Sequence, residues 1–185
     1  MNSLSERVQL VFDTPLGPMH LAASPRGLAG VWFAGQRHAP DRLDGPSAWP
    51  EAPGHPVLRQ ARDELLAYLD GRLQAFTVPL DLSMGTAFQQ AVWQALLQIP
   101  CGQLQGYGAL ASRLGRPAAA RAVGAAVGRN PVSVIVPCHR VVGADGSLTG
   151  YAGGLERKQA LLRLEGHALP ALSAPQQRLW PEVTA

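Results

Sequence analysis

The sequence predicts an α/β N-terminal domain followed by a mainly α C-terminal domain with a helix-turn-helix. Three observations predict it. Residues 8–33 carry strand-like spacing around a turn signal, and a helical apolar stripe follows at 56–70. Residues 72–85 form a weakly patterned connection, after which helical spacing dominates. Two short helical stretches within 106–128 then flank a Gly-containing break. The expected division is 1–82 for the first domain, 83–167 for the second, and 168–185 as a loosely attached tail with three prolines.

In the first domain Val8, Leu10 and Phe12 fall at strand spacing. Met19 to Ala23 and Leu28 to Phe33 flank Ser24-Pro25-Arg26-Gly27, a turn sequence. Residues 34–55 are rich in Pro, Gly, Asp and His and read as a surface loop. Leu58, Ala61, Leu65 and Leu69 share one helix face, and Gly71 ends that helix. The connection holds a short apolar alternation from Phe76 to Leu82.

In the second domain Thr86 and Gln89 have capping-box spacing. Phe88, Val92, Leu96 and Ile99 make the buried stripe of the helix they open, and Pro100 and Gly102 stop it. The helix pair runs near Tyr107 to Leu114 and Ala118 to Val127, broken at Gly115-Arg116-Pro117. Val132 to Val136 reads as a buried strand that runs into Pro137-Cys138-His139-Arg140. A Gly-rich loop covers 143–154, and a last helix spans Leu155 to Glu165 before Gly166.

Composition narrows the class. Hydrophobic residues make up 46% and charged residues 16%, ordinary for a globular protein. The net charge of +3 and a pI of about 9.3 fit a polyanionic partner without requiring one. Cys101 and Cys138 are the two cysteines, too few and too far apart for a disulfide scaffold or a thiolate zinc cluster. No stretch has the length or apolarity of a signal peptide or a spanning helix. The expectation is a cytoplasmic protein with reduced thiols, no membrane partner and no cofactor.

Cys138 follows an apolar run and a proline, at a predicted strand exit, where scaffolds commonly display reactive groups. Position alone favours reading it as a small buried hydrophobe, which is what most free cysteines are. A thiol of ordinary pKa needs a base or a positive field, and His139 is next in sequence. Adjacent residues of an extended segment face opposite ways, so a bridging water is the expected link between them. Glu165 sits in a last helical turn, where the macrodipole disfavours its charge. It reads either as a salt-bridge partner of a nearby cation or as the carboxylate that orients His139, completing a nucleophile–base–orienter set.

The second helix of the pair reads Ala118-Ala-Ala-Arg-Ala-Val-Gly-Ala-Ala-Val127. Helices that read the major groove carry several long polar side chains. Here Arg121 is the only long one. A slim face with one cation suits a narrow groove and insertion into a base stack, although a tightly packed buried helix would look similar. Chemistry on a base requires taking it out of the duplex, and Arg121 could fill the gap. A nucleotide-flipping thiol enzyme is one function these parts fit. A damage-binding module without transfer and a Cys–His hydrolase of small esters or peptides are the competing ones.

The quoted residues resemble a known family. Phe88-Gln-Gln-Ala-Val-Trp93, Ala120-Arg-Ala-Val-Gly124, Asn130-Pro131, Ile135-Val-Pro-Cys-His-Arg-Val-Val142, Gly150-Tyr-Ala-Gly-Gly154 and Leu164-Glu-Gly166 are similar to the O6-alkylguanine-DNA alkyltransferases (methylated-DNA–protein-cysteine methyltransferases). Thr14-Pro-Leu-Gly17 and Ala22-Ala-Ser24 extend the likeness more weakly, so that it covers roughly residues 8–167. The resemblance implies a ribonuclease-H-like first domain and a second domain carrying the helix-turn-helix. It implies stoichiometric, irreversible transfer of the alkyl group of O6-alkylguanine, and of O4-alkylthymine, in double-stranded DNA to Cys138. His139 would act as base through a water, Glu165 as its partner, and Asn130 as the brace of the active-site turn. Tyr107 would rotate the phosphodiester or donate to the leaving guanine. Arg121 would replace the flipped nucleotide from the minor-groove side, with Ala119, Ala120, Ala122 and Gly124 forming the slim DNA face. Val127, Val141, Tyr151, Ala152 and Gly153 would line or shape the base pocket. A monomer is expected, with cooperative loading on DNA left open.

The chain departs from the family pattern in places. Some relatives build an N-terminal zinc site with cysteines; this chain has none there, so no metal is expected. Cys101 stands where relatives often have an aromatic residue and reads as structural. Gln103-Leu-Gln-Gly106 is looser than the usual pattern, and Ala152 replaces a serine of some relatives, removing one hydroxyl contact to the base. Some relatives lack the nucleophile and only bind damage, which the presence of Cys138 argues against.

Overall fold

β1 (Val8–Phe12), β2 (Met19–Ser24) and β3 (Gly27–Phe33) form an antiparallel sheet in that order in the computed structural model, which describes residues 6–169. The β2–β3 turn is held by Ser24 Oγ, which accepts from the Arg26 N–H at 3.1 Å. Gly27 takes φ 143°, and a Cβ there would stand 2.6 Å from the Pro79 carbonyl oxygen, so the position admits glycine alone.

One sheet face receives α1 (Pro56–Leu69). Its buried stripe is Leu58, Ala61, Leu65 and Tyr68, packed with Met19, Leu21, Val31 and Phe33. Tyr68 therefore takes the place the apolar spacing assigns to Leu69, which is only partly buried. The other face carries Ala22 and Trp32, and the 34–55 loop does more than run over the surface: its Leu43 and Trp49 bury themselves there. Side chains of that size gain about 1.5–3 kcal/mol each on burial. The Arg7 guanidinium lies 5.5 Å from the centre of the Trp49 ring and adds a cation–π contact.

The free edge of β3 is covered from both sides of the domain boundary. The Leu28 N–H donates to Pro79 O and the Asp81 N–H to Leu28 O, both at 2.8 Å, which seats the alternating Phe76 to Leu82 segment there. Farther along, the Val31 N–H donates to Pro131 O at 2.8 Å and the Ser133 N–H to Val31 O at 3.0 Å. The edge is thus closed by the segment that leads to Cys138.

The second domain is mainly helical. α2 (Ala87–Leu96) opens with the complete Thr86–Gln89 capping box. α3 (Tyr107–Arg113) and α4 (Ala120–Gly128) form the helix-turn-helix, joined through Gly115 at φ 68° and a short 3-10 turn over Pro117–Ala119. Trp93 of α2 locks onto α4 by donating its indole N–H to Ala126 O at 2.9 Å. A two-residue parallel pair joins β4 (Gln105–Gly106) to β5 (Val141–Val142), and α5 (Leu155–Leu164) closes the fold.

The strand expected over Val132 to Val136 does not form. Only Val132 makes a bridge, to Val31, and Val134 sits at φ 73°. The Val136 N–H returns to Val132 O at 2.9 Å, so the segment is a tight turn. A left-handed conformation is unusual for a β-branched residue and persists where surroundings over-determine it. Here residues 131–142 are buried throughout, and the Asn130 side chain supplies the bonds a sheet would otherwise provide. The expected tail at 168–185 lies, apart from residues 168–169, outside the described residues. Among the described residues no helix is long and apolar enough to cross a membrane.

Candidate active site

Asn130 follows α4 and is 4% exposed. Its Oδ1 accepts from the Val132 N–H at 2.9 Å, and its Nδ2 donates to Val136 O at 2.8 Å. The same Nδ2 stands 3.1 Å from Cys138 Sγ. This one amide closes the turn and reaches the thiol.

Cys138 begins a 3-10 turn, Cys138–Arg140, rather than leaving a strand. Burial pushes its thiol pKa up, against the opposing pull of the Asn130 amide and the positive Lys158. His139, on the same turn, is 0% exposed. Its Nε2 lies 2.9 Å from Glu165 Oε1, while its Nδ1 makes no hydrogen bond within the protein. With the Nε2 proton given to the carboxylate, Nδ1 carries a free lone pair. Burial lowers the imidazole pKa, and Glu165 opposes that shift.

Glu165, the residue closing α5, collects donors from four places. His139 and Tyr68 donate to Oε1, the latter at 2.5 Å. Arg140 brings Nε to both oxygens and Nη2 to Oε1, at 2.8–3.1 Å. The Gly102 N–H donates to Oε2 at 3.2 Å. Burial alone would raise the carboxyl pKa, but bonds from His139, Arg140 and Tyr68 hold it far below the usual carboxylate range. The two readings of Glu165, ion-pair partner and orienter of His139, are both realised in the same side chain.

Lys158 of α5 is 0% exposed and donates Nζ to Val141 O at 2.6 Å and to Thr149 O at 2.7 Å. It ties the segment after Cys138 to the Gly-rich loop. Burial lowers its pKa to about 8, which Cys138 partly offsets. The loop itself is packed closely. A Cβ on Gly153 would come 2.8 Å from the Tyr151 ring and 2.9 Å from Phe33.

A groove of about 690 Å³ opens between α4 and the Gly-rich loop, and Cys138, His139 and Glu165 are not among its lining residues. Tyr107, Ala120, Arg121, Gly124, Tyr151 and Ala152 line it, together with residues that have no assigned role from sequence, among them Arg37, His38, Ala125 and Arg129. Val127, Val141 and Gly153 are buried and stand outside its lining. Ala119 and Ala122 also lie off the lining, Ala122 being exposed. The outer face of α4 is Arg121, Ala122, Ala125 and Arg129, a smooth strip with a cation near each end. Thr149 Oγ1 donates to Tyr107 Oη at 3.5 Å.

Arg37 and His38 come from the loop after β3, and the Arg37 N–H donates to Ala152 O at 3.1 Å. Tyr68, Arg140 and Lys158 are further contributors that spacing does not reveal. Arg140 lies inside the quoted Pro-Cys-His-Arg segment and was the one most open to detection.

Comparison with known proteins covers most of the described chain. The family profile described as "6-O-methylguanine DNA methyltransferase, ribonuclease-like domain" matches residues 8–82, and "6-O-methylguanine DNA methyltransferase, DNA binding domain" matches residues 87–167. The methylated-DNA–protein-cysteine methyltransferase of Mycobacterium tuberculosis is 49% identical over 159 residues, 86% of this chain and 92% of that protein. The protein of that name from Methanosarcina acetivorans is 46% identical over 156 residues, 84% of this chain and 96% of its own length. Among solved structures, M. tuberculosis OGT in complex with DNA superposes with a TM-score of 0.78 at 48% identity, covering 85% of this chain and 92% of that one.

Proposed function

Because the chain belongs to the 6-O-methylguanine DNA methyltransferase family, we propose that it repairs DNA by moving an alkyl group from guanine O6 to Cys138 Sγ. The observation that carries the proposal is the His139–Glu165 pair at 2.9 Å beside a buried thiol, with His139 Nδ1 left unpartnered. That is a base aimed by a carboxylate, with its second ring nitrogen unbonded.

The step balances as an in-line displacement. The Cys138 proton passes through a bridging water to His139 Nδ1, Sγ bonds to the alkyl carbon, and the carbon–O6 bond breaks. The electron pair leaves on the guanine, where a Tyr107 O–H donates to the developing anion. Tyr107 Oη accepts from Thr149, so its own proton is available to the base. The product is a thioether, which is a poor leaving group. Cys101 lines a separate recess with Tyr68 and Glu165 and is given no part in reversing the step. Each molecule therefore acts once.

Double-stranded DNA fits the α4 strip from the minor-groove side. Small residues allow close approach, and Arg121 fills the stack left by the flipped nucleotide. Arg37 and Arg129 add positive charge at the groove for the backbone. O4-alkylthymine presents the same in-line geometry and is a second substrate. The protein works as a monomer in the reducing cytoplasm, with the domains divided near residues 82 and 83.

The test is to mix the protein with a duplex containing O6-methylguanine and to map mass by peptide. One methyl group on Cys138 per molecule, with no further turnover, is expected. A folded protein whose Cys138 stays unmodified would end the proposal, and repeated turnover on small esters without DNA would replace it by a hydrolase.

A further inference from the structure

Tyr68 belongs to the N-terminal domain, in the last turn of α1, yet its hydroxyl ends beside Cys138's base. It donates to Glu165 Oε1 at 2.5 Å and lies 3.4 Å from His139 Nε2. The side chain is 1% exposed, and its ring packs on Phe76 at 5.2 Å between centres. A phenylalanine would fill the same core. Burying a hydroxyl is costly unless it is bonded, and the partners this one finds are the carboxylate and imidazole of the relay. Packing therefore accounts for the ring and leaves the hydroxyl to be explained.

We propose that Tyr68 is a positioning residue for alkyl transfer, which acts through Glu165 to keep His139 neutral and able to take the thiol proton. The inference rests on the relay proposed above and adds the first domain to it. Oε1 is shared by Tyr68, His139 and Arg140. A carboxylate whose charge is taken up by several donors holds less for any one of them. Without the phenol, more of that charge falls on His139 and the imidazolium is favoured. An imidazolium cannot accept the proton of Cys138.

The other ionisable groups around the pair come from several elements, and Tyr68 itself acts on two of them, Arg140 and Tyr151. Arg140 and Cys138 share the turn with His139, Lys158 faces it from α5, Cys101 approaches from the loop after α2, and Tyr151 from the Gly-rich loop. Arg140 and Lys158 both oppose a second positive charge on His139. Tyr68 is a neutral donor to Glu165, and it is fixed by a helix whose buried face is part of the first domain's core.

The experiment measures single-turnover transfer from an O6-methylguanine duplex against pH, with the full chain. Tyr68→Phe should move the acid limb upward, giving transfer up to about tenfold slower on that limb for each unit by which the imidazole pKa rises, and near-parental rates at alkaline pH. Placing 3-fluorotyrosine at position 68 keeps the ring and strengthens the donor, so it should move the limb downward. This second protein decides the question if Tyr68→Phe does not fold. A limb that stays in place in either protein, or a loss equal at every pH, overturns the role of Tyr68. Glu165→Gln separates this from the parent reading: unchanged transfer there removes the relay itself, whereas slow transfer with an unmoved Tyr68→Phe limb removes only Tyr68.

Discussion

Asn130 and Cys138 are joined through one amide nitrogen, which donates to Val136 O at 2.8 Å and reaches Cys138 Sγ at 3.1 Å. The turn and the reactive atom therefore share a single point of control. Replacing Asn130 by Ala strands the Val132 N–H in the core and takes one of two donors from the Val136 carbonyl, which still accepts from the Cys138 N–H at 2.8 Å. A stranded group costs about 1–3 kcal/mol. The thiol also loses the hydrogen bond that counters its burial. Urea denaturation should show the loss of stability, and transfer should slow by at least about tenfold, the worth of one unit of thiol pKa. A variant with parental stability and rate would remove the bracing role.

Glu165 should make the protein acid-sensitive. Its folded carboxyl is held far below an unfolded value of about 4.3. The folded state thus binds fewer protons than the unfolded one across that interval. This contribution is complete above about pH 5 and is lost as pH falls through the folded value. Asp81 adds the same sign over a window from about 3.9 in the unfolded chain down to about 2 in the fold, where Ser24, Ser83 and Arg26 hold it. Glu165→Gln should flatten the fall in urea midpoint between pH 5 and 2. At neutral pH it should cost about 3–5 kcal/mol, since Arg140 keeps a buried charge without its partner. Transfer should also be much slower, as His139 loses the group that orients it.

What could be read in advance divides by the range of the interaction. The Thr86–Gln89 box spans one turn, and both partners are visible in four residues. The small-residue face of α4 is likewise local. The turn at Val132 to Val136 was hidden because four apolar β-branched residues around Ser133 carry a strand preference, and the Asn130 bonds that override it come from outside the run. Tyr68 was masked by Leu69, since both fall near the same helix stripe and only packing decides which turns inward. Lys158 looks like a surface cation on a polar helix until two carbonyls are found around its ammonium. Its pairing joins positions 9 and 17 residues away, beyond the reach of any helical period.

Lys158→Met should separate binding from chemistry. The substitution keeps much of the aliphatic volume and removes the two bonds that tie Val141 to Thr149. Those carbonyls anchor the loop bearing Tyr151 and Ala152, while the α4 strip is untouched. Transfer should fall by about tenfold or more, the cost of a reacting geometry loosened by about 1 Å or less. Affinity for duplex DNA should stay within about twofold, since no phosphate-facing cation is lost. Equal losses in gel-shift affinity and transfer rate would place Lys158 at the DNA surface instead.

Gly124 sets stability against function within one residue. It lies in the interior of α4, where glycine is about 0.5–1 kcal/mol worse than alanine. A Cβ there would meet the Tyr107 ring at 3.6 Å, an ordinary contact, so Gly124→Ala should raise stability by about that amount. The same methyl group would project at the groove between Arg121 and Tyr107, where the proposed DNA backbone must come close. Duplex affinity should then fall while the melting temperature rises. Arg121→Ala provides the contrast: its side chain is exposed, so stability should hold while DNA binding and transfer weaken and the salt dependence of binding becomes shallower. A Gly124→Ala protein that is both more stable and fully able to bind would show that the α4 strip is not the surface on which DNA lies.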